Sequence, residues 1–307
     1  MLEFSNLWEN VRVAEKRIDF KVNYKKLNIV TEYNADNIKF PLVLASPHSG
    51  QEFPREFLES VNMSEDKLRG NEDSFVDELV LAASETGIPL LCMNISRAFV
   101  DANRDKIEID PQMYYNYPQR EDIQGGIRCR VGFGVIHRIN AQRENIYSGL
   151  LNYDEVMERI KNVYDVYHAH LQALINKVSR KFGFCYVLDC HSMPSKICSL
   201  MQEDKPIDFC LGTLFEQSCP NEVADFFAKS LETQGYKVVM NCPYSGAYTT
   251  FNYCQPRKNI FTLQMEANRS LYMDEIVHKK NTNFQTFSSD LCRSVEALSK
   301  FLLDFKK

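Results

Sequence analysis

Two rhythms of apolar and polar positions run along this chain. Short apolar runs rich in β-branched and aromatic side chains occur at residues 40–45, 89–95, 184–190, 209–214, 237–241 and 260–266. Turn-forming or polar residues follow several of them, and each predicts a buried strand. Between them, apolar residues recur every three or four positions and predict helices. Phe75, Leu79 and Ala82 mark one over 71–85, with Asn71 as candidate N-cap and Gly87 as its stop. Val156, Ile160, Val163, Tyr167, Leu171 and Leu174 mark the longest, over 153–181, and two more are expected at 222–233 and 287–305. Residues 1–38 are mixed, with a strand or two expected between Phe20 and Tyr33. Strands alternating with helices predict an α/β fold, a central mixed, largely parallel sheet flanked by helices. At 307 residues the chain is near the size where one core stops growing, so a single domain over 1–307 is expected. The stretch 105–145 breaks the rhythm and is too long for an idle connection. With its tyrosines, Gly125-Gly126 and Gly132-Phe133-Gly134, it reads as a lid or substrate wall.

Charge narrows the partners. The 36 basic and 41 acidic residues give a formal net charge of -5, with no basic tract. That argues against nucleic acid or an anionic membrane and for a small-molecule substrate. The first twenty residues, MLEFSNLWENVRVAEKRIDF, show no apolar core of a secretory leader, and no run is long enough to span a bilayer. Ten cysteines form no Cys-x-x-Cys pair, and Cys92, Cys185, Cys210 and Cys242 sit in apolar runs. They read as reduced, mostly buried thiols of a cytoplasmic protein, neither a zinc finger nor a disulfide framework.

Ligands of such sheets gather where the strands end. His48, Arg97, His191 and the turn at Asn241 all fall at predicted strand ends. In Val187-Leu188-Asp189-Cys190-His191-Ser192-Met193-Pro194-Ser195 strand alternation puts Asp189 and His191 on one face. Catalytic zinc takes three His or carboxylate ligands and keeps one position for water. His48 and His191, each followed by Ser, supply two; Asp73, with Glu72 beside it, is the candidate third. The plainer alternative is that Glu72 and Asp73 complement a helix N-terminus, worth about 0.3–1 kcal/mol each. Glu266, amid an apolar strand, is the candidate general base, and an ion pair with Arg269 is its alternative. Arg97 and Arg104 could bind a substrate carboxylate or polarise a carbonyl, or else form structural ion pairs. Arg128, Arg130 and Arg138 make the 105–145 stretch basic, which suits an anionic substrate. A second reading makes Cys190 a nucleophile with His168 or His191 as base, but strand parity points Cys190 away from His191. A third is a non-catalytic metal- or ligand-binding protein.

Eight blocks in order carry a resemblance across residues 41–275: SPHSG (46–50), EDSFVDEL (72–79), SRAFVDANR (96–104), GFGVIHRI (132–139), YHAHL (167–171), LDCHSMPS (188–195), NCPYSGAYTT (241–250) and LQMEANRSLYMDE (263–275). They resemble the N-formylglutamate amidohydrolases, which are similar in fold and site to zinc carboxypeptidases and aspartoacylases. The resemblance implies a zinc-exopeptidase-like fold and one Zn2+, or another divalent metal, held by His48, Asp73 and His191. It implies Glu266 as general base and acid, with Arg97, Asn103, Arg104 and Arg138 facing a small carboxylate substrate. His168 and Asp189 would orient ligands or loops. The reaction implied is hydrolysis of N-formyl-L-glutamate to formate and glutamate in histidine breakdown, or that of a related acyl amino acid. The chain departs from the family at Gly246-Ala247-Tyr248-Thr249-Thr250-Phe251-Asn252-Tyr253-Cys254, where the best-known members read Gly-Gly-Tyr-Ile-Thr-Arg-His-Tyr-Gly. An Arg and a His are thereby lost from an expected pocket wall.

Overall fold

The apolar runs pair into one seven-stranded sheet in the computed structural model, which describes residues 16–118, 126–200 and 206–305. Residues 1–15 and 119–125, on which parts of the readings of the N-terminal stretch and of the 105–145 stretch fall, lie outside the described residues. The strands are β1 (Val30–Tyr33), β2 (Leu42–Ser46), β3 (Leu90–Met93), β4 (Cys185–Met193), β5 (Phe209–Gly212), β6 (Val238–Met240) and β7 (Ile260–Asn268). Their spatial order is β1-β3-β2-β4-β7-β5-β6. The inner four, β3, β2, β4 and β7, are parallel, while β1 and β5 each pair antiparallel with their inner neighbour. The sheet is therefore mixed and largely parallel, as the alternation of elements predicts.

Parallel strands buried on both faces need apolar residues of both parities. Val43, Ala45, Leu91, Met93, Cys185 and Val187 enter one core, which the helix α2 (Asp165–Phe182) covers with Tyr167, Leu171, Leu174, Ile175 and Val178. Leu42, Leu44, Leu90, Tyr186, Leu188, Leu263 and Met265 enter the other. There α1 (Val76–Glu85), α3 (Asn221–Glu232) and α4 (Phe284–Asp304) pack. Each fully buried Leu, Val or Phe contributes about 1.5–3 kcal/mol. The result is one α/β domain of three layers.

Local differences from the sequence reading have local causes. The helix expected from Asn71 begins at Val76, because Phe75 takes a left-handed conformation (φ 67°) and residues 71–75 form a turn. Asn71 is no cap; its side chain reaches His137. The long helix is continuous in direction but passes through a π-helical segment, Ile160–Tyr164, between Tyr153–Arg159 and α2. It stops at Gly183, whose φ of 84° suits glycine and whose N–H caps Ser179 O. Strands β4 and β7 run further than expected, through His191 and Glu266 to Met193 and Asn268. All ten cysteines are free thiols and eight are buried. Cys242, expected inside an apolar run, is exposed, because it lies beyond the end of β6. Among the described residues no helix is long and apolar enough to cross a membrane.

Candidate active site

The carboxyl ends of β2 and β4 lie side by side, with Ala45 opposite Asp189. Two residues past β2 comes His48, and near the end of β4 comes His191; their rings stand 4.8 Å apart between centroids. Gly50 lets the chain turn away, since a Cβ there would sit 2.5 Å from the Asn94 carbonyl carbon. The turn before α1 brings Asp73 in, its N–H donating to His48 O at 3.0 Å. Asp73 Oδ2 lies 2.9 Å from His191 Nδ1 and 3.3 Å from His48 Nδ1. His48, Asp73 and His191 each offer one ligand atom, and all three atoms lie within 4.8 Å of one another, all buried. Glu72 does not join them: its nearest cation is Arg69 at 3.4 Å, and burial pushes its carboxyl up to about 8.

The groups behind these three fix how they present. His48 Nε2 donates to Asp101 Oδ1 at 2.7 Å, and His191 Nε2 lies 2.9 Å from Asp189 Oδ2. The carboxylate behind each imidazole would hold a ring proton at Nε2 and free the Nδ1 lone pair for a metal; as the rings stand, both Nδ1 atoms lie within hydrogen-bonding distance of Asp73 Oδ2. Asp73 Oδ1 accepts from Arg269 Nη2 (2.8 Å) and Ser192 Oγ (3.3 Å), which turns Oδ2 toward the imidazoles. Burial alone would raise the Asp73 carboxyl, but the hydrogen bonds of His191 and His48 hold it well below its usual value.

Asp101, which the sequence reading passed over, is the hub of the site. Fully buried, it accepts from His48, from His137 Nε2 (3.0 Å), from the Asn103 N–H (2.8 Å) and from Arg97 Nε and Nη2 (3.1 and 2.6 Å). Burial would raise its carboxyl, yet the charges of Arg97, His48 and Arg104 hold it well below the usual range. His137, also unassigned from sequence, accepts from Asn71 Nδ2 at Nδ1, and burial lowers its pKa to about 4. The signal for both was compositional only: an acid between two arginines, and a His in a basic loop.

Glu266 stands directly opposite His191 in the β4–β7 register and is 8 % exposed. The alternative of an ion pair with Arg269 is not the arrangement found, since Arg269 serves Asp73 and Ser192. Glu266 Oε1 accepts from Gln264 Nε2 at 2.8 Å. Burial, with Asp73 and Asp189 nearby, raises its carboxyl to about 7 against the pull of His191.

The expected substrate-facing residues divide. Arg97 forms the structural ion pair that was its alternative, although it still lines the cavity. Asn103 also lines it, but its amide is committed: Nδ2 donates to Asp189 Oδ2 (3.0 Å) beside His191, and Oδ1 accepts from Thr249 N (2.7 Å). Arg104 lines the cavity and donates to the carbonyls of Phe133 (3.1 Å) and Asn103 (2.9 Å). Arg138 is not among the lining residues, because its guanidinium turns to Asp110 (3.4 Å) and to Arg130 O (3.2 Å). Cys190 faces the second core, its Sγ donating to Leu188 O, and burial raises its thiol pKa well above the usual value.

The cavity holding these groups measures about 340 Å³ and also takes in Arg128, Phe133, Tyr244, Ala247 and Gln264. That lies at the small end of the ~300–1,000 Å³ typical of ligand sites. Residues 40–273 match the family model for N-formylglutamate amidohydrolase. The chain belongs to the N-formylglutamate amidohydrolase family. Its relatives include the N-formylglutamate deformylases of Pseudomonas putida, 25 % identical over 86 % of this chain and 91 % of that one, and of Pseudomonas aeruginosa, 25 % identical over 87 % and 92 %. The crystal structure of an N-formylglutamate amidohydrolase from Ralstonia eutropha JMP134 superposes with a TM-score of 0.83 at 31 % identity, covering 90 % of this chain and 99 % of that chain.

Within that family, the two positions where the chain lacks the Arg and the His prove external. Phe251 and Asn252, which replace the family's Arg and His, are exposed on the short helix Tyr248–Tyr253 and do not line the cavity. The change that reaches the cavity is Ala247.

Proposed function

We propose that this chain hydrolyses the amide bond of an N-acyl amino acid using one bound divalent metal, with N-formyl-L-glutamate the leading substrate. The observation that carries the reading is the convergence of His48 Nδ1, His191 Nδ1 and Asp73 Oδ2, with a carboxylate behind each imidazole. Two nitrogens and one carboxylate oxygen suit a catalytic zinc site that leaves a position open. A zinc ion held there would polarise the scissile carbonyl and acidify a water. The rest falls to the chain. Glu266, with a carboxyl near neutrality, takes the proton of the attacking water and returns it to the leaving nitrogen. Asp101 and Asp189 keep the imidazoles in the ligating tautomer. Arg104, in the buried wall, holds the substrate's α-carboxylate through charge-assisted hydrogen bonds. The part of the 105–145 segment from Arg128 to Ala141 serves as a substrate wall, contributing Arg128, Phe133, His137 and Ala141 to the cavity. Names borne by relatives at 25–31 % identity support the acyl group and amino acid.

The test is metal analysis beside a hydrolysis panel. Chelated protein should rebind about one equivalent of zinc and regain N-formylglutamate hydrolysis, while His191→Ala should lose both. Turnover that persists after chelation, or in the variant, would remove the metal from the reading.

A further inference from the structure

Four arginines line the cavity, and three of them are already engaged. Arg97 is paired with Asp101, and Arg269 with Asp73 and Ser192. Arg104 donates to two carbonyls and has Asp101 as a distant carboxylate at 3.9 Å. The fourth, Arg128, is different: its guanidinium forms no hydrogen bond or ion pair among the described residues, though its side chain is half-buried in the cavity wall. The backbone of Phe133 links the two residues Arg128 and Arg104. Phe133 N donates to Arg128 O at 2.8 Å, and Phe133 O accepts from Arg104 Nε at 3.1 Å.

We infer that Arg128 is the specificity residue that selects an acidic side chain on the substrate, taking its carboxylate while Arg104 takes the α-carboxylate. This rests on the amidohydrolase reading and deepens it. Two neighbouring cations in a partly dehydrated wall repel one another, and only an anion relieves that cost. The strain registers on Arg104, whose pKa falls to about 10 through burial first, and through Arg97 and Arg128, with Asp101 opposing. No acid of the chain answers Arg128 among the described residues, so the answering anion comes with the ligand. A monocarboxylate occupies only one of the two cations. A dicarboxylate spaced like glutamate occupies both, and an arginine fork accepts a carboxylate in two parallel hydrogen bonds.

Calorimetry with glutarate and butyrate, on metal-loaded wild type and Arg128→Gln, tests the binding part without any turnover. Wild type should bind glutarate about 10- to 100-fold more tightly than butyrate, the effect of one charge-assisted hydrogen bond. Arg128→Gln should bring the two affinities within about threefold of each other, and Arg128→Lys should keep part of the preference. In parallel, the ratio of kcat/KM for N-formylglutamate over N-formylglutamine should collapse by a similar factor in Arg128→Gln. No glutarate preference in wild type, or one that survives in a folded Arg128→Gln, overturns the inference. If wild type hydrolyses nothing in the panel while the glutarate preference disappears with Arg128, the amidohydrolase reading fails and the anion site stands.

Discussion

The two ends of the cavity are built in opposite ways. At the sheet end, His191 and Glu266 face each other across adjacent parallel strands, and Asp101 and Asp189 close off the imidazoles from behind. Asp73, Asp101 and Asp189 are buried there, and each has a cationic or imidazole partner. At the wall end, residues 126–141 hang on a four-residue helix and isolated bridges, and Arg128 is half-buried with no partner among the described residues. A sheet ladder fixes side chains far more rigidly than such turns do. On the proposed function this difference divides the labour, with reaction geometry on the ladder and recognition on the loops that can vary. Damage at the first end should therefore appear in kcat, and damage at the second in preference among substrates.

The strongest way to break that division is at Glu266. Glu266→Gln keeps the size and the position opposite His191 but cannot accept a proton. It should lower kcat by about 10²–10⁴-fold, with KM and bound zinc little changed. If instead KM rises and kcat holds, the sheet end is doing recognition and the division is wrong.

A smaller effect should come from the strut that joins the two ends. His168 on α2 donates from Nε2 to Ala102 O (2.9 Å) and accepts at Nδ1 from Tyr253 Oη (2.7 Å). Tyr164 Oη donates to Arg104 O (2.8 Å), so the carbonyls of both residues next to Asn103 are pinned. Burial lowers the His168 pKa from 6.5 to about 4, with Asp165 pulling the other way. A lowered folded pKa means that the unfolded chain binds the proton more readily. The stabilisation is therefore whole above pH 6.5 and is lost as pH falls toward 4, on the order of 3 kcal/mol in all. His168→Gln should start less stable at pH 7.5 and lose less between pH 6.5 and 4, measured as ΔG of unfolding in urea at each pH. Parallel pH curves for wild type and variant would show that His168 is not the group responsible.

How much of this was legible follows the range of the interactions. The strands and helices were legible because their periods are local and because both faces of the inner strands are apolar. His48, His191 and Glu266 were legible because a polar residue at the end of an apolar run has few structural excuses. Asp73 and Glu72 could not be separated from sequence; the left-handed Phe75 separates them by starting α1 late and leaving Asp73 in a turn against β2. The role of Asp101 was not legible, because its partners His48 and His137 lie 53 and 36 residues away and no periodicity records such a meeting. Arg97, Arg104, Arg128 and Arg138 look alike as letters. Only contacts show that the first is paired, the second braced, the third without a partner among the described residues and the fourth turned away.

The smallest effect should come from a position where the chain departs most visibly from its family. Phe251→Arg restores the family's residue on the helix Tyr248–Tyr253. That helix presents two faces. Thr249 N, on the inner one, donates to Asn103 Oδ1, and Thr262 Oγ1 donates to Thr250 O. Phe251 lies on the outer one, 73 % exposed, and is not among the residues that line the cavity. An exposed substitution of this kind typically shifts stability by no more than ~0.5 kcal/mol. With the cavity lining unchanged, kcat/KM for N-formylglutamate should stay within about threefold of wild type, a change of under ~0.7 kcal/mol in transition-state binding. A gain of tenfold or more would mean that the outer face of this helix reaches the substrate. The wall end would then extend beyond Arg128 and Phe133, and the substitution at 251 would count as a change of specificity.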